Sequence, residues 1–559
     1  MDLNIRIAGE AGQGLVSLGD ILTGAFSSAG LHIFTSKSYM SRVRGGLNWY
    51  DVRIADSELF ALKQQADLII ALSPEAKEIL EETLSPKGIM LYSGDSDDAN
   101  KQTINLDFVK IAQEVAGSKV MANAVAAGAI FAILGYETDT LFAYLKKEFQ
   151  SKGEEIVKKN LQCAKKGYEK TKAKALKLKA PTGTNGPAEY MSGAAAMSLS
   201  AAVSGVKLVS AYPMTPGTAT FTGLANLADK YGIIIEQAED EISAINMICG
   251  AVYAGVPALT TTSGGGFALM CEGVSLAGMM ELPIVIVIAQ RPGPATGLPT
   301  RTAQEDLKFA INAGHGEFPR AIYAPGTIQQ CYDLTRKALE TAHKYQSPVI
   351  ILTDQYLQDI QKNIGKLSDE YNPIDRHIVK DVGIDYKRYA LDSENNGISP
   401  RALPGGKGLV ICDSDEHDEE GHLTEDFEIR IAMHEKRMAK IDLLKNDLVC
   451  PDFHGSEDAE LILVCWGSTF GACQEAAYQL NTKGRKTALL HYSQVWPLDA
   501  SAVNKLLEKN KRIVVVEGNY TGQFLSLLKE QGLNGGCELM NRYDGLPFTA
   551  EFIMEELQS

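Results

Sequence analysis

The sequence predicts an α/β protein of three domains, and three observations carry that prediction. At 559 residues the chain is longer than one hydrophobic core organises. Apolar β-type runs alternate with helix-spaced runs, the pattern of mostly parallel sheets covered on both faces. The stretch Ala180-Pro-Thr-Gly-Thr-Asn-Gly-Pro187 breaks that alternation most sharply and reads as a linker. The expected divisions are a first domain over 1–180, a linker over 181–188, a central domain over 189–360, an irregular connecting region over 361–455 and a last domain over 456–559.

Composition narrows the class. Hydrophobic residues at 45% with charged residues at 22% describe a soluble globular protein. The formal charge of −16 argues against nucleic acid as a partner, since phosphate neutralisation needs clustered Lys and Arg. No run of about 18 apolar residues occurs, and Met1-Asp-Leu-Asn4 lacks the charged-then-apolar signature of a signal peptide, so no membrane contact and a cytoplasmic location are expected. The nine cysteines are scattered without a Cys-x-x-Cys pair, which predicts no iron–sulfur cluster and no structural metal on this chain.

Taken in order, Leu3 to Ala8 alternate like a strand and run into Gly9-Glu-Ala-Gly-Gln-Gly14 before a helix-like Leu15 to Ala29. Such a turn presents backbone N–H groups and a helix N-terminus suited to a phosphate, and an unliganded tight turn has the same signature. The order Gly-x-x-Gly-x-Gly is not the Gly-x-Gly-x-x-Gly of dinucleotide folds. Next, Ser36 to Gly46 sets Lys37, Arg42 and Arg44 among hydroxyls, either a polyanion site or a solvated strand edge. Strands near 67–72 and 88–93 and a helix from Asn123 to Leu134 read as scaffold, and Lys152 to Lys179 as a lysine-rich helix with a solvated face.

The central domain opens with an alanine-rich helix over Met191–Val203. Four strand ends then follow. Lys207 to Ala211 stops at Tyr212-Pro213, placing Thr215 at the mouth of a strand-to-helix loop. Ile233 to Glu236 leads into Asp240-Glu241 and helical spacing through Val252, with a carboxylate in the first turn. Ala258 to Thr262 ends in Ser263-Gly-Gly-Gly266, and Leu282 to Ala289 ends at Gln290-Arg291. A Thr, a Glu, a glycine loop and an Arg thus face one rim, where open α/β sheets bind ligands. On local sequence alone, Thr215 also reads as a helix cap and Glu241 as a dipole-stabilising acid.

Between 361 and 455 the pattern is irregular, and Asp413 to Glu428 packs nine acids with two histidines, which reads as a solvated or subunit-contacting loop rather than a metal site. Ala459–Ser468, Lys486–His491 and Arg512–Glu517 supply strands of the last domain.

The segments Tyr212–Thr218, the Glu241 stretch, Thr260–Phe267 and Arg291–Thr300 together resemble the α subunit of 2-oxoacid:ferredoxin oxidoreductases, in the form with a γ domain fused ahead of α that is typical of 2-oxoglutarate enzymes. The likeness runs over nearly the whole chain. It implies a γ-type domain, a thiamine-enzyme pyrimidine-binding domain and a transketolase C-terminal-like domain. It also implies oxidative decarboxylation of a 2-oxo acid with coenzyme A to acyl-CoA, CO₂ and reduced ferredoxin. By resemblance Glu241 meets the pyrimidine of thiamine diphosphate, with Thr262, Gly265 and Gly266 beside it, and Arg291 takes the substrate carboxylate. Thr215, Tyr212, Thr300 and Arg301 complete the substrate side, and Met214 stands where the family usually has Ile. Gly12, Gly14, Lys37, Arg42 and Arg44 are the coenzyme A candidates. Thiamine enzymes bind diphosphate with a Gly-Asp-Gly segment, which this chain lacks. A β subunit carrying the diphosphate site, Mg²⁺ and a [4Fe–4S] cluster is therefore expected, in an αβ or (αβ)₂ assembly. Glu517, Asn519 and Gln523 are interface candidates. A non-catalytic coenzyme A-binding assembly subunit, and pyruvate or branched-chain substrates, are the alternatives.

Overall fold

The computed structural model describes residues 1–40, 46–94, 102–172, 177–183, 189–391, 396–509 and 511–558. In chain order the strands are β1 (Asp2–Glu10), β2 (His32–Ser38), β3 (Leu47–Ala55), β4 (Ala66–Ala71), β5 (Leu84–Tyr92), β6 (Thr103–Asn105), β7 (Glu189–Ser192), β8 (Leu208–Ala211), β9 (Ile234–Gln237) and β10 (Ala258–Thr262). They continue as β11 (Val285–Gln290), β12 (Ala321–Tyr323), β13 (Val349–Asp354), β14 (Gln361–Ile364), β15 (Asp452–His454), β16 (Leu461–Trp466), β17 (Thr487–Tyr492), β18 (Gln494–Trp496), β19 (Arg512–Glu517) and β20 (Glu538–Asn541).

The chain forms two compact units. The first comprises Met1–Met191, Ile360–Lys366 and Thr549–Ser559, and the second Ser192–Asp359 and Leu367–Phe548. In the first, the sheet runs β6-β5-β4-β1-β3-β2-β14-β7, with β1, β4, β5 and β6 parallel, β3 antiparallel to β1 and β2 antiparallel to β3. Its core joins Ile5, Ile7 and Val52 of the sheet to Leu18, Leu22 and Phe26 of the helix Leu15–Ser28 and to the helix Ala122–Leu134, where Phe131 stacks on Phe26. The lysine-rich helix spans Glu154–Lys172, shorter than its composition suggests. By Leu178 the chain is no longer helical and its N–H donates to the Ile133 carbonyl (3.0 Å), and Pro181 disfavours helix at Ala180.

The second unit holds two sheets. One runs β18-β12-β13-β11-β10-β8-β9, parallel except for β18; the other runs β15-β17-β16-β19-β20, parallel except for β15. Ile286, Ile288 and Ile350 of the first share one core cluster with Val464, Trp466 and Val515 of the second.

Two sequence expectations change here. The connecting region is not irregular throughout, because Phe427–Asn446 is a helix of 20 residues. It shows no hydrophobic stripe because its inner face buries Lys436, Arg437 and Lys440. Nor is the acidic stretch simply solvated. Glu416 accepts from Arg437 and Arg430, and His417 is fully buried against the Tyr389 ring. Thr549–Ser559 clusters with the first unit, whereas the residues before it cluster with the second.

Candidate active site

The four strand ends do converge. Strands β9, β8, β10 and β11 lie side by side and parallel, so Gln237, Ala211, Thr262 and Gln290 end on one rim. Chain order reverses between β8 and β10. From β8 the chain moves outward to β9, whereas from β10 it moves the other way to β11 and β13. A crevice outside the carboxyl ends at such a reversal is where this architecture binds ligands.

Glu241 opens the helix Glu241–Tyr253 but is not an exposed dipole-stabilising acid. Asp240 does the capping, accepting from the Ser243 N–H at 2.7 Å, and Glu241 turns inward to 3% exposure. Its Oε1 is buried with no hydrogen-bond partner. An unpaired buried carboxylate oxygen is costly, so it marks a place where something else donates. What it faces is Gly266. A Cβ there would lie 2.5 Å from Glu241 Oε1 and 2.1 Å from Thr262 Oγ1, so only glycine leaves the carboxylate room.

The glycines are not a loop, as the sequence suggested, but the first turn of the helix Gly264–Met279, whose N-cap Ser263 makes no side-chain capping bond. The open N–H groups and positive end of that helix therefore point into the rim. Gly265 is exposed, and a Cβ on it would find nothing nearer than the Ala295 carbonyl oxygen at 3.8 Å.

Arg291 follows β11 and donates from Nη1 to the Thr215 carbonyl at 2.6 Å, tying the β11 loop to the β8 loop. Thr215 thus serves through its backbone, and Gly217 rather than Thr215 holds the N-cap position of the next helix. Burial pulls the Arg291 guanidinium below its usual value, and the nearby Asp306 opposes that shift. Tyr212 is exposed on the rim. Thr300 and Arg301 lie at the far end of the loop that Arg291 begins. There the Thr302 N–H donates to the Gly545 carbonyl (3.2 Å), and the stem of Arg301 packs on Gly545.

The sequence reading missed Asp306. Its N–H donates to Gln290 Oε1 at 2.9 Å, its Oδ2 is buried without a partner, and its carboxyl abuts Gly264. Burial pushes it up to about 7, Glu305 adding and Arg291 opposing. Glu517, Asn519 and Gln523 are not surface residues awaiting a partner but the clamp on this segment. Asn519 donates to the Gln304 carbonyl (3.0 Å) and to Glu517, and Gln523 donates to the Glu305 carbonyl (2.6 Å).

In the first unit, Gly12 and Gly14 adopt left-handed φ of 91° and 84° after β1, and Gly14 caps the helix Leu15–Ser28 through its backbone alone. Both line a cavity of about 730 Å³ with Ser17, Phe108, Asn123 and Lys152. Lys37, over the Tyr50 ring, sits at the same end of the sheet by register but does not line that cavity. Arg42 and Arg44 lie outside the described residues. No described helix is long and apolar enough to cross a membrane, and among the described residues no cluster of His, Cys, Asp or Glu is placed to hold a metal ion.

The chain is similar in sequence and fold to known proteins. Residues 200–436 match the family model for the thiamine-diphosphate-binding domain of pyruvate flavodoxin/ferredoxin oxidoreductases, residues 4–170 a second pyruvate ferredoxin/flavodoxin oxidoreductase model, and residues 454–551 the transketolase C-terminal domain. The α subunit of a 2-oxoacid:ferredoxin oxidoreductase from a Sulfolobus species is 30% identical, with 100% of this chain and 96% of that protein aligned. The chain belongs to the 2-oxoacid:ferredoxin oxidoreductase α-subunit family. Other relatives fall in with it. The 2-oxoglutarate oxidoreductase subunit KorA of Mycobacterium tuberculosis is 28% identical over 98% of this chain and 90% of its own. A solved 2-oxoglutarate:ferredoxin oxidoreductase from Magnetococcus marinus, with 2-oxoglutarate, coenzyme A and succinyl-CoA bound, superposes with TM-score 0.93 at 32% identity over 100% of this chain and 99% of that one. As an oxidoreductase α subunit, the chain carries its three domains in the order γ-type, thiamine-binding, transketolase C-terminal.

Proposed function

We propose that this α subunit supplies the pyrimidine-side half of a thiamine diphosphate site that oxidises 2-oxoglutarate with coenzyme A, and that a β subunit supplies the other half. The observation that carries the proposal is the orphan Oε1 of Glu241, buried at the start of a glycine-opened helix on the strand-order reversal. The residues fit the group. A carboxylate oxygen without a partner suits a ring nitrogen that shares a proton with it, and Thr262, Gly265 and Gly266 leave the space beside it open. Thiamine diphosphate, when bound, supplies the nucleophilic carbon and the electron sink for decarboxylation. The chain's own residues bind, orient and hold a proton. Glu241 Oε1 holds the proton shared with the aminopyrimidine. Arg291, braced on Thr215, presents the remaining fork of its guanidinium to the substrate carboxylate, with Tyr212, the Thr215 hydroxyl and Thr300 around it.

The diphosphate, Mg²⁺ and [4Fe–4S] cluster fall to the β subunit, which passes electrons to ferredoxin, and (αβ)₂ is the expected assembly. Exposed Tyr212, Ile242, Leu269 and Leu298 ring the rim, the apolar border that a partner would cover. In the γ-type domain, Gly12, Gly14 and Lys37 hold coenzyme A, with Arg42 and Arg44 as further phosphate ligands. Two relatives named for 2-oxoglutarate favour that substrate, with Arg301 taking its second carboxylate.

The test replaces Glu241 with Gln in the co-expressed complex and follows viologen reduction by 2-oxoglutarate. A loss of about a hundredfold or more is expected, and unchanged turnover would leave only the assembly-subunit reading. Replacing Arg301 with Ala should raise KM for 2-oxoglutarate and leave that for pyruvate unaltered.

A further inference from the structure

Two buried carboxyl oxygens without partners flank the same glycine turn. Glu241 Oε1 faces Gly266, and Asp306 Oδ2 faces Gly264, where a Cβ would lie 2.4 Å from Oδ2 and 2.5 Å from Oδ1. The first has a role in the reading above; the second has none. Asp306 is held with unusual care. Its N–H is fixed to Gln290, the residue before Arg291, and the flanking Gln304 and Glu305 carbonyls are clamped by Asn519 and Gln523. Yet among the described residues Asp306 and Arg291 form no ion pair, although each lies within the other's field.

The charges that face Asp306 are few. Arg291 favours its anion. Glu305 disfavours it, with a carboxylate engaged on the Gly293 N–H at 2.8 Å. Lys308, on the same segment, turns its ammonium to Glu530 (2.7 Å) and Ser526. On the glycine-helix side Gly264 brings no side chain against it, and the other carboxyl of that turn, Glu241, stands against Gly266. A carboxyl in that setting titrates near neutrality, at about 7.

We propose that Asp306 is a positioning residue of the 2-oxo acid subsite, its buried carboxylate opposing the substrate carboxylate through space beside Arg291 and ceasing to do so when protonated. This rests on the reading that Arg291 binds that carboxylate. Below about pH 7 Asp306 is neutral and the whole guanidinium charge serves the substrate; above it the two anions oppose each other. Substrate binding then raises the affinity of Asp306 for its proton, so binding near neutrality takes up a fraction of a proton from solution.

The test uses the assembled αβ complex with oxamate and N-oxalylglycine, unreactive analogues of short and dicarboxylic 2-oxo acids. Calorimetric titrations at pH 6, 7 and 8, each in two buffers of different ionisation heat, give affinity and proton uptake. The wild type should lose about three- to tenfold in affinity from pH 6 to 8 and take up protons at pH 7. Asp306→Asn should abolish both the slope and the uptake, with KM at pH 8 below the wild type's, and Asp306→Glu should restore the slope. An Asp306→Asn complex that keeps the wild-type slope overturns the proposal. If that variant fails to assemble, absence of proton uptake by the wild type does so alone. Arg291→Ala separates the two levels: unchanged analogue binding there refutes the carboxylate role of Arg291 itself, whereas lost binding with a persistent slope in Asp306→Asn refutes only the role of Asp306.

Discussion

The identity of Gly266 is set by what stands opposite it. A methyl group there would collide with Thr262 Oγ1 and Glu241 Oε1, both on buried side chains, whereas one on Gly265 meets open space. Gly266→Ala should therefore cost about 1–3 kcal/mol of stability and displace the Glu241 carboxylate, and Gly265→Ala should change stability by no more than about 0.5 kcal/mol. Thermal melting of the two variants checks this; equal losses would contradict it. Residue detail of this kind was only partly legible in the sequence. Asp240-Glu241 before a helical run announces a helix start, but not which acid caps and which turns inward, because that depends on how the helix is rotated against β10. Asp306 was invisible for a stronger reason. Gln304-Glu305-Asp306 carries no local motif, and the burial of Asp306 depends on a missing side chain at Gly264 and on Asn519 and Gln523, contacts that lie far away in sequence.

Among the elements, the helix Phe427–Asn446 shows how charge can conceal a core segment. Glu281, in the left-handed region at φ 51° and 1% exposed, accepts from Lys436 at 2.7 Å and also from Lys440, with Arg388 nearby. Burial alone would push its carboxyl up, but the three cations hold it well below the usual range. Glu281→Ala would leave buried ammonium groups without a counter-charge and should cost about 3–5 kcal/mol, read as a fall in denaturation midpoint. The depressed folded-state value fixes the sign of the pH effect: the stabilisation is present above the ordinary carboxylate value of 4.5 and is lost as pH falls below it. Melting of the second unit should accordingly drop steeply below about pH 4.5, and a flat profile there would refute the cluster's contribution. Strands were easier to read. Val285–Gln290 and Leu461–Trp466 are continuous apolar runs because both sheet faces are covered, so periodicity and burial agree. The cationic helix face carries no such signal.

Across the whole molecule, the final helix Ala550–Glu556 belongs with the first unit although the preceding residues belong with the second. Ala550, Ile553 and Met554 are buried. Deleting residues 549–559 should accordingly speed hydrogen exchange in the first unit while the helix Glu241–Tyr253 stays protected; a uniform rise across both units would refute the assignment. The three-domain composition of the chain was legible because each sheet has its own alternation of strands and helices. The crossing of β14 and the last helix was not, since four mostly polar residues, Gln361–Ile364, or one short helix carry no mark of which core they join.

That crossing has a genetic consequence. The polypeptide passes between its two units four times, at 191/192, 359/360, 366/367 and 548/549. Cutting the gene once after the linker would give one product lacking the last two strands of its sheet, β14 and β7, and the final helix, and a second product carrying all three without the sheet they join. The lending runs one way: the first unit draws on chain beyond the linker, whereas all of the second unit, Ser192–Asp359 and Leu367–Phe548, lies after it, so separating the halves would leave only the first incomplete.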